Sequence, residues 1–121
     1  MIVAVAPIVP PDATYSWQFY LINDSGEAIE SGVVDKMSYE WGDNVTTEPV
    51  GTSFGAIPPN SALAIHRDVD SEMRTAIVGR VMIGGVEHTF GAEFGRLYAP
   101  ATKQLVPIPV LGMMGLLPLR E

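Results

Sequence analysis

The feature that most constrains the fold is a pair of adjacent glycines, Gly84 and Gly85, between two apolar runs. Because glycine tolerates positive φ, such a pair is typical of the tight turn of a β-hairpin. We therefore predict a hairpin over Ala76 to Phe94 whose register follows from the turn. On one face the turn would pair Ile83 with Val86, Val81 with His88, Gly79 with Phe90, and Ile77 with Ala92.

The two faces of this hairpin differ in polarity, which predicts a half-buried antiparallel sheet. The first face is mostly apolar, and we expect His88 to lie in or near the core on that face. The second face is mixed, as in the pairing of Arg80 with Thr89. The pairing of Gly79 with Phe90 indicates an aromatic ring that covers the bare backbone of a glycine on the neighbouring strand.

The other segments also favour strands over helices. Residues Tyr15 to Asn23 alternate in polarity, and the Asn-Asp-Ser-Gly sequence that follows predicts a turn. We expect a strand over Glu27 to Val34 to return antiparallel to the first, and another strand over Ser61 to Arg67. The segment from Gly42 to Asn60 is rich in glycine and proline and predicts a loop, with a short strand near Val45 to Val50 as the alternative. The polar segment from Asp68 to Arg74 predicts a connector between strands that contains one helical turn.

Both ends of the chain are apolar and interrupted by proline. Pro7 breaks the first run, which predicts an edge strand or an extended arm. Prolines and glycines also interrupt the run from Gln104 to Leu119, which excludes a regular helix there. The predicted fold is therefore all-β: a single small antiparallel β-sandwich or barrel-like domain. It would comprise an N-terminal arm over 1–14, a β body over 15–103 and a C-terminal arm over 104–121.

Composition narrows the classes of partner. A formal net charge of −7, with seven scattered basic residues, argues against nucleic acid and against an anionic membrane surface. The chain has no cysteine, which excludes disulfides and thiolate chemistry. The N-terminal run lacks a basic region, and no apolar run reaches the roughly 20 residues of a membrane span, so we expect neither a signal peptide nor a transmembrane segment.

One acidic segment could bind a metal. The densest set of potential ligands is His66, Asp68, Asp70 and Glu72. An EF-hand counted from Asp68 would require glycine where Met73 stands and glutamate where Gly79 stands. We interpret the segment as a solvated acidic turn, with a small enzyme using His66 and a neighbouring aspartate as the least supported alternative. We expect no catalytic residue, no cofactor, no metal and no small-molecule substrate.

The aromatic residues leave open a carbohydrate-binding β-sandwich module, because sugars stack on exposed rings. That alternative requires a group of aromatic side chains to be exposed on one sheet face. They are Trp17, Tyr20, Tyr39 and Trp41.

Low charge, two apolar arms and no assembled catalytic set favour a non-enzymatic structural assembly protein. The layout resembles that of virion components of tailed bacteriophages, and above all a capsid decoration (cement) protein. Such proteins are small β-rich domains, often trimeric, that clamp neighbouring capsomers with extended termini. A tail or head–tail connector protein is the alternative within this class. The resemblance implies a virion location, with self-association and a larger shell or tube as partners. The predicted contact residues are Ile2, Val3, Val5, Ile8, Val9, Val106, Ile108, Val110, Leu111, Met113, Met114, Leu116 and Leu117.

Overall fold

The computed structural model describes residues 1–8, 16–69 and 71–119. These ranges contain β-strands and two short 3₁₀ helices, over Ala99–Gln104 and Pro109–Leu111, and the strands pair antiparallel. The prediction of an all-β antiparallel fold is confirmed. The strands are β1 (Ile2–Ile8), β2 (Ser16–Asn23), β3 (Ser31–Trp41), β4 (Asn44–Phe54), β5 (Ser61–Val69), β6 (Ser71–Ile83), β7 (Val86–Leu97), β8 (Val106–Ile108) and β9 (Met113–Gly115).

The strands form two main sheets and a small hairpin. One sheet has the order β1-β2-β5, the other has the order β4-β3-β6-β7, and β8 pairs with β9. The larger hydrophobic cluster contains side chains from both main sheets. The rings of Phe19 in β2 and Phe94 in β7 meet edge to face, with centroids 5.6 Å apart. The core therefore lies between the two sheets.

The β6–β7 hairpin has the register that its glycine turn predicts. Ile83 pairs with Val86, and the pairing continues without a shift as far as Thr75 opposite Phe94. Gly84 and Gly85 have φ values of 58° and 75°, which is the backbone that the turn requires. The expected burial of His88 is wrong, because this histidine lies on the edge strand β7 and is exposed, although Val81 opposite it is buried.

Two phenylalanine rings cover two glycines in the four-stranded sheet. Phe90 lies on Gly79 across β6 and β7, as the register predicts, and Phe54 lies on Gly32 across β3 and β4. The two rings contact each other edge to face, with centroids 6.3 Å apart. At each of these two positions, the Cβ atom of any other residue would overlap the ring and a neighbouring backbone carbonyl. Glycine is thus required at both positions by the close approach of the ring.

Three sequence-based expectations about the middle of the chain are wrong. The strand after β2 does not return along it, because β2 pairs with β1 and β5 whereas β3 joins the other sheet. The expected loop over Gly42 to Asn60 is largely the strand β4, which contains the alternative strand near Val45 to Val50 and is longer than it. The expected helical turn in the connector is replaced by the end of β5 and the start of β6. In the last two cases tertiary pairing overrides a polar or glycine-rich local sequence.

Candidate protein-contact surface

Prolines and glycines shape the C-terminal segment, residues 104–119, into a compact hairpin. Pro109 starts a single 3₁₀ turn between β8 and β9, and Gly112 ends it with a φ of 66°. The Gly112 N–H donates to the carbonyls of Ile108 (3.1 Å) and Pro109 (3.0 Å). The sequence thus excludes a long helix here and yields two three-residue strands that lie across the body.

The C-terminal segment is fastened to the edges of both main sheets. Val5 in β1 and Leu116 exchange two backbone hydrogen bonds, of 3.0 and 2.7 Å, and the Leu119 N–H donates to the Glu93 carbonyl in β7 at 2.7 Å. Gly115 allows the close approach to β1, because a Cβ there would lie 2.8 Å from the Val5 carbonyl oxygen. These contacts hold the segment in a defined position on the body.

Six large apolar side chains of this segment remain exposed, and together they define the C-terminal apolar surface. Their exposed fractions range from 40% for Val110 to 66% for Leu119. Residues 104–119 contain no charged side chain, although the whole chain carries a net charge of −7. A segment without charge that exposes this many large apolar side chains is typical of a contact site for another protein. Its residues are Val106, Val110, Met113, Met114, Leu117 and Leu119.

The surface includes a shallow depression of about 280 Å³ on the β8–β9 hairpin. Pro107, Ile108 and Pro109 line one side, and Met113 and Met114 line the other. Methionine is unbranched and polarizable, so its side chain adapts to the shape of an opposing surface. The depression can therefore accept an apolar side chain of a partner without a rigid match of shapes.

The predicted contact residues fall into three groups. Exposed on the C-terminal apolar surface are Val106, Val110, Met113, Met114 and Leu117. Half-buried are Ile2, Ile8, Leu111 and Leu116, while Val3, Val5 and Ile108 face the interior of the protein. Val9 lies outside the described residues. Leu119 was missed by the sequence reasoning, although the apolar run that contains it signals the same role.

Asp68 of β5 forms a contact between the two sheets, whereas His66 packs within its own sheet. The Tyr39 hydroxyl in β3 donates a short hydrogen bond to the Asp68 carboxylate in β5. Burial, and then the neighbouring Asp68, raises the pKa of the Tyr39 phenol. Burial also lowers the pKa of His66, whose ring packs on Phe19 with centroids 5.8 Å apart, while Asp68 opposes that shift.

This polar group does not assemble a metal site within the described ranges. No three histidine or carboxylate side chains of those residues lie close enough together to hold a metal ion. Glu72 is exposed, and Asp70 falls outside the described residues. Tyr39 and Asp68 instead join the two sheets through their hydrogen bond.

The aromatic platform required by a carbohydrate-binding module is not formed as expected. Trp17 is fully buried in the core, so it is not one of the exposed rings that this alternative requires. Tyr20 is half-buried, and Tyr39 is turned toward Asp68. Trp41 is 49% exposed, and the Arg96 guanidinium lies 5.0 Å from its ring centroid. The Arg96 guanidinium therefore occupies the face of the Trp41 ring on which a sugar would stack.

In the part of the chain that the structure describes, no helix is long and apolar enough to cross a membrane. Comparisons with protein-family models, with curated proteins and with solved structures find no match.

Proposed function

We propose that this protein is a non-enzymatic structural protein that joins a larger protein assembly through its C-terminal apolar surface. The observation that carries the proposal is an uncharged segment with six exposed apolar side chains, held on both sheet edges by backbone hydrogen bonds. In its most specific form, the protein is a virion component of a tailed bacteriophage, such as a capsid decoration protein. Its body is then an open β-sandwich that presents the segment to neighbouring subunits.

The strength of a single contact follows from the exposed area. Full burial of a Val, Leu or Met side chain contributes about 1.5–3 kcal/mol, so six side chains that are roughly half exposed contribute about 4–9 kcal/mol. Association itself costs about 4–15 kcal/mol in lost freedom of motion. One such contact is therefore weak. A shell that offers many contacts side by side would retain the protein through multivalency.

A double substitution on the C-terminal apolar surface tests this proposal. The chain is expressed together with the proteins encoded by neighbouring genes, and assembled particles are sedimented. We expect the unaltered chain to sediment with the particles and the variant Met113→Glu with Met114→Glu to stay in the supernatant, because each buried carboxylate would lack a partner.

Val86→Glu is the matched control, because Val86 is 57% exposed and lies at the tip of the β6–β7 hairpin. The control should sediment with the particles as the unaltered chain does. Circular dichroism of each variant separates loss of binding from loss of fold. A double variant that is folded and still sediments with the particles would show that this surface does not mediate assembly.

A further inference from the structure

The outer edge of β4 is left uncovered by the residues that the structure describes. The C-terminal segment forms backbone hydrogen bonds with the edge strands β1 and β7. At the other end of the four-stranded sheet, β4 pairs with β3 alone. Among the described residues, no backbone hydrogen bond from a loop or another sheet reaches β4. A long uncovered strand edge is a template for pairing with another chain.

The turn between β3 and β4 determines which backbone groups of β4 point outward. Trp41 pairs with Asn44 across a two-residue turn, in which Gly42 has a φ of 59°. The pair that flanks such a turn exchanges hydrogen bonds, and hydrogen-bonded pairs then alternate along the ladder. The N–H and C=O groups of Val45 and Thr47 therefore point away from β3. Pro49 has the same outward orientation, so its missing N–H costs the β3–β4 ladder nothing.

The segment Asn44–Glu48 is suited to strand pairing. Each of its five residues is exposed, and Val45 is 62% exposed. Val45, Thr46 and Thr47 are β-branched, which favours the extended backbone. The segment is bounded on one side by the turn and on the other by Pro49, so it is the part of the edge that offers outward N–H donors without interruption.

We propose that β4 pairs antiparallel with β4 of a second copy of this chain, across a two-fold axis at Thr46. Val45 of each copy then lies opposite Thr47 of the other copy, and the two pairs exchange four N–H···O hydrogen bonds. Asn44 of each copy lies opposite Glu48 of the other copy, so the two copies of Glu48 are not opposite each other. The result is one continuous eight-stranded sheet that extends through both molecules.

Proline distinguishes this register from its nearest alternative. A two-fold axis at Thr47 would place Pro49 opposite Val45, and the two Val45 carbonyls would have no donor. The register at Thr46 satisfies each outward group of Val45 and Thr47. This contact does not use the C-terminal apolar surface, so the inference is independent of the proposed function.

Site-directed crosslinking tests the register, because the natural sequence has no cysteine. Thr46 and its symmetry mate would form a non-hydrogen-bonded pair with a Cα–Cα distance of about 4.5 Å, which a disulfide can span. We expect Thr46→Cys to give a covalent dimer under mild oxidation on a non-reducing gel. Thr52→Cys is the matched control on the same strand and should remain monomeric, because the two copies of Thr52 would lie far apart.

A second variant tests the hydrogen bonds. Thr47→Pro removes an outward N–H from each copy and leaves the backbone ladder with β3 intact, although the contact of Thr47 Oγ1 with Ser38 Oγ is lost. We expect the dimer dissociation constant, measured by sedimentation of the isolated chain, to rise at least about tenfold. The variant Met113→Glu with Met114→Glu should still crosslink through Thr46→Cys, which separates this inference from the proposed function.

Three results would overturn the inference. They are a chain that stays monomeric at the highest attainable concentration, a trimer with no even-numbered species, and crosslinking at Thr52 as efficient as at Thr46. Circular dichroism of Thr47→Pro shows whether its β content is retained. If that variant does not fold, the comparison of the two cysteine variants alone decides the question.

Discussion

The contact between Phe90 and Gly79 gives a sharp test of how this sheet is packed. Substitution of Gly79 by alanine would place a Cβ atom against the Phe90 ring and against the Val33 carbonyl oxygen. The ring can move, but the carbonyl belongs to the ladder between β3 and β6. The substitution therefore forces the ring outward, strains the backbone, or does both.

The expected cost can be worked from these contacts. Phe90 is only 7% exposed, and displacing its ring into water would forfeit part of about 1.5–3 kcal/mol. Overpacking against the fixed carbonyl adds about 1–3 kcal/mol. The lower conformational entropy of alanine in the unfolded chain offsets about 0.4–1 kcal/mol. We expect the free energy of unfolding to fall by about 1–3 kcal/mol.

Urea denaturation of Gly79→Ala and Gly91→Ala measures this cost against a matched control. Gly91 lies in the neighbouring strand, where the nearest atom to a Cβ would be the Ile77 carbonyl oxygen at an ordinary 3.5 Å. We expect Gly91→Ala to change the stability by less than about 1 kcal/mol, in either direction. If Gly79→Ala is no less stable than Gly91→Ala, the ring does not lie on the glycine and the reasoning is refuted.

Two further predictions concern the contacts that hold the sheets and the C-terminal segment. Because the pKa of Tyr39 is raised in the folded state, the stability it contributes is intact below about pH 10 and falls as the pH rises further. Tyr39→Phe should cost about 1 kcal/mol at neutral pH and flatten that fall, measured by urea denaturation at several pH values; an unchanged pH profile would contradict this. Gly115→Ala should lift the segment from β1 and speed hydrogen exchange at the Val5 amide. Gly95→Ala, where the nearest atom is 3.9 Å away, should leave exchange at Val5 unchanged, and equal exchange in both variants would contradict the close approach.

The sequence was sufficient to predict the parts of the fold that depend on local chemistry. The register of β6 and β7 follows from Gly84 and Gly85, because a two-residue turn determines every pair beyond it. The cover of Gly79 by Phe90 follows from that register. The exposed apolar side chains near the C-terminus were also visible as an uncharged run interrupted by proline.

The parts that depend on distant pairing could not be predicted from local patterns. β4 contains Pro49 and Gly51, which predict a loop, but the strand forms because β3 provides a partner and the proline lies at a free edge. The two partners of β2 are β1 and β5, which are far from each other in the chain but lie on either side of β2 in the sheet. The hydrogen bond of Tyr39 with Asp68 joins strands from different sheets, and no spacing along the chain signals it.

The bridge between Val5 and Leu116 has a consequence for the order in which the protein is built. These residues are 111 positions apart, so the contact closes one of the longest loops in the chain. During synthesis β1 emerges early, and its apolar edge remains open until the segment that covers it has left the ribosome. Through that interval the outer edge of β1, which does not face β2, is open, and an open strand edge is a hazard for pairing with other chains. Slow emergence of residues 104–119 would prolong that exposure without altering the finished fold.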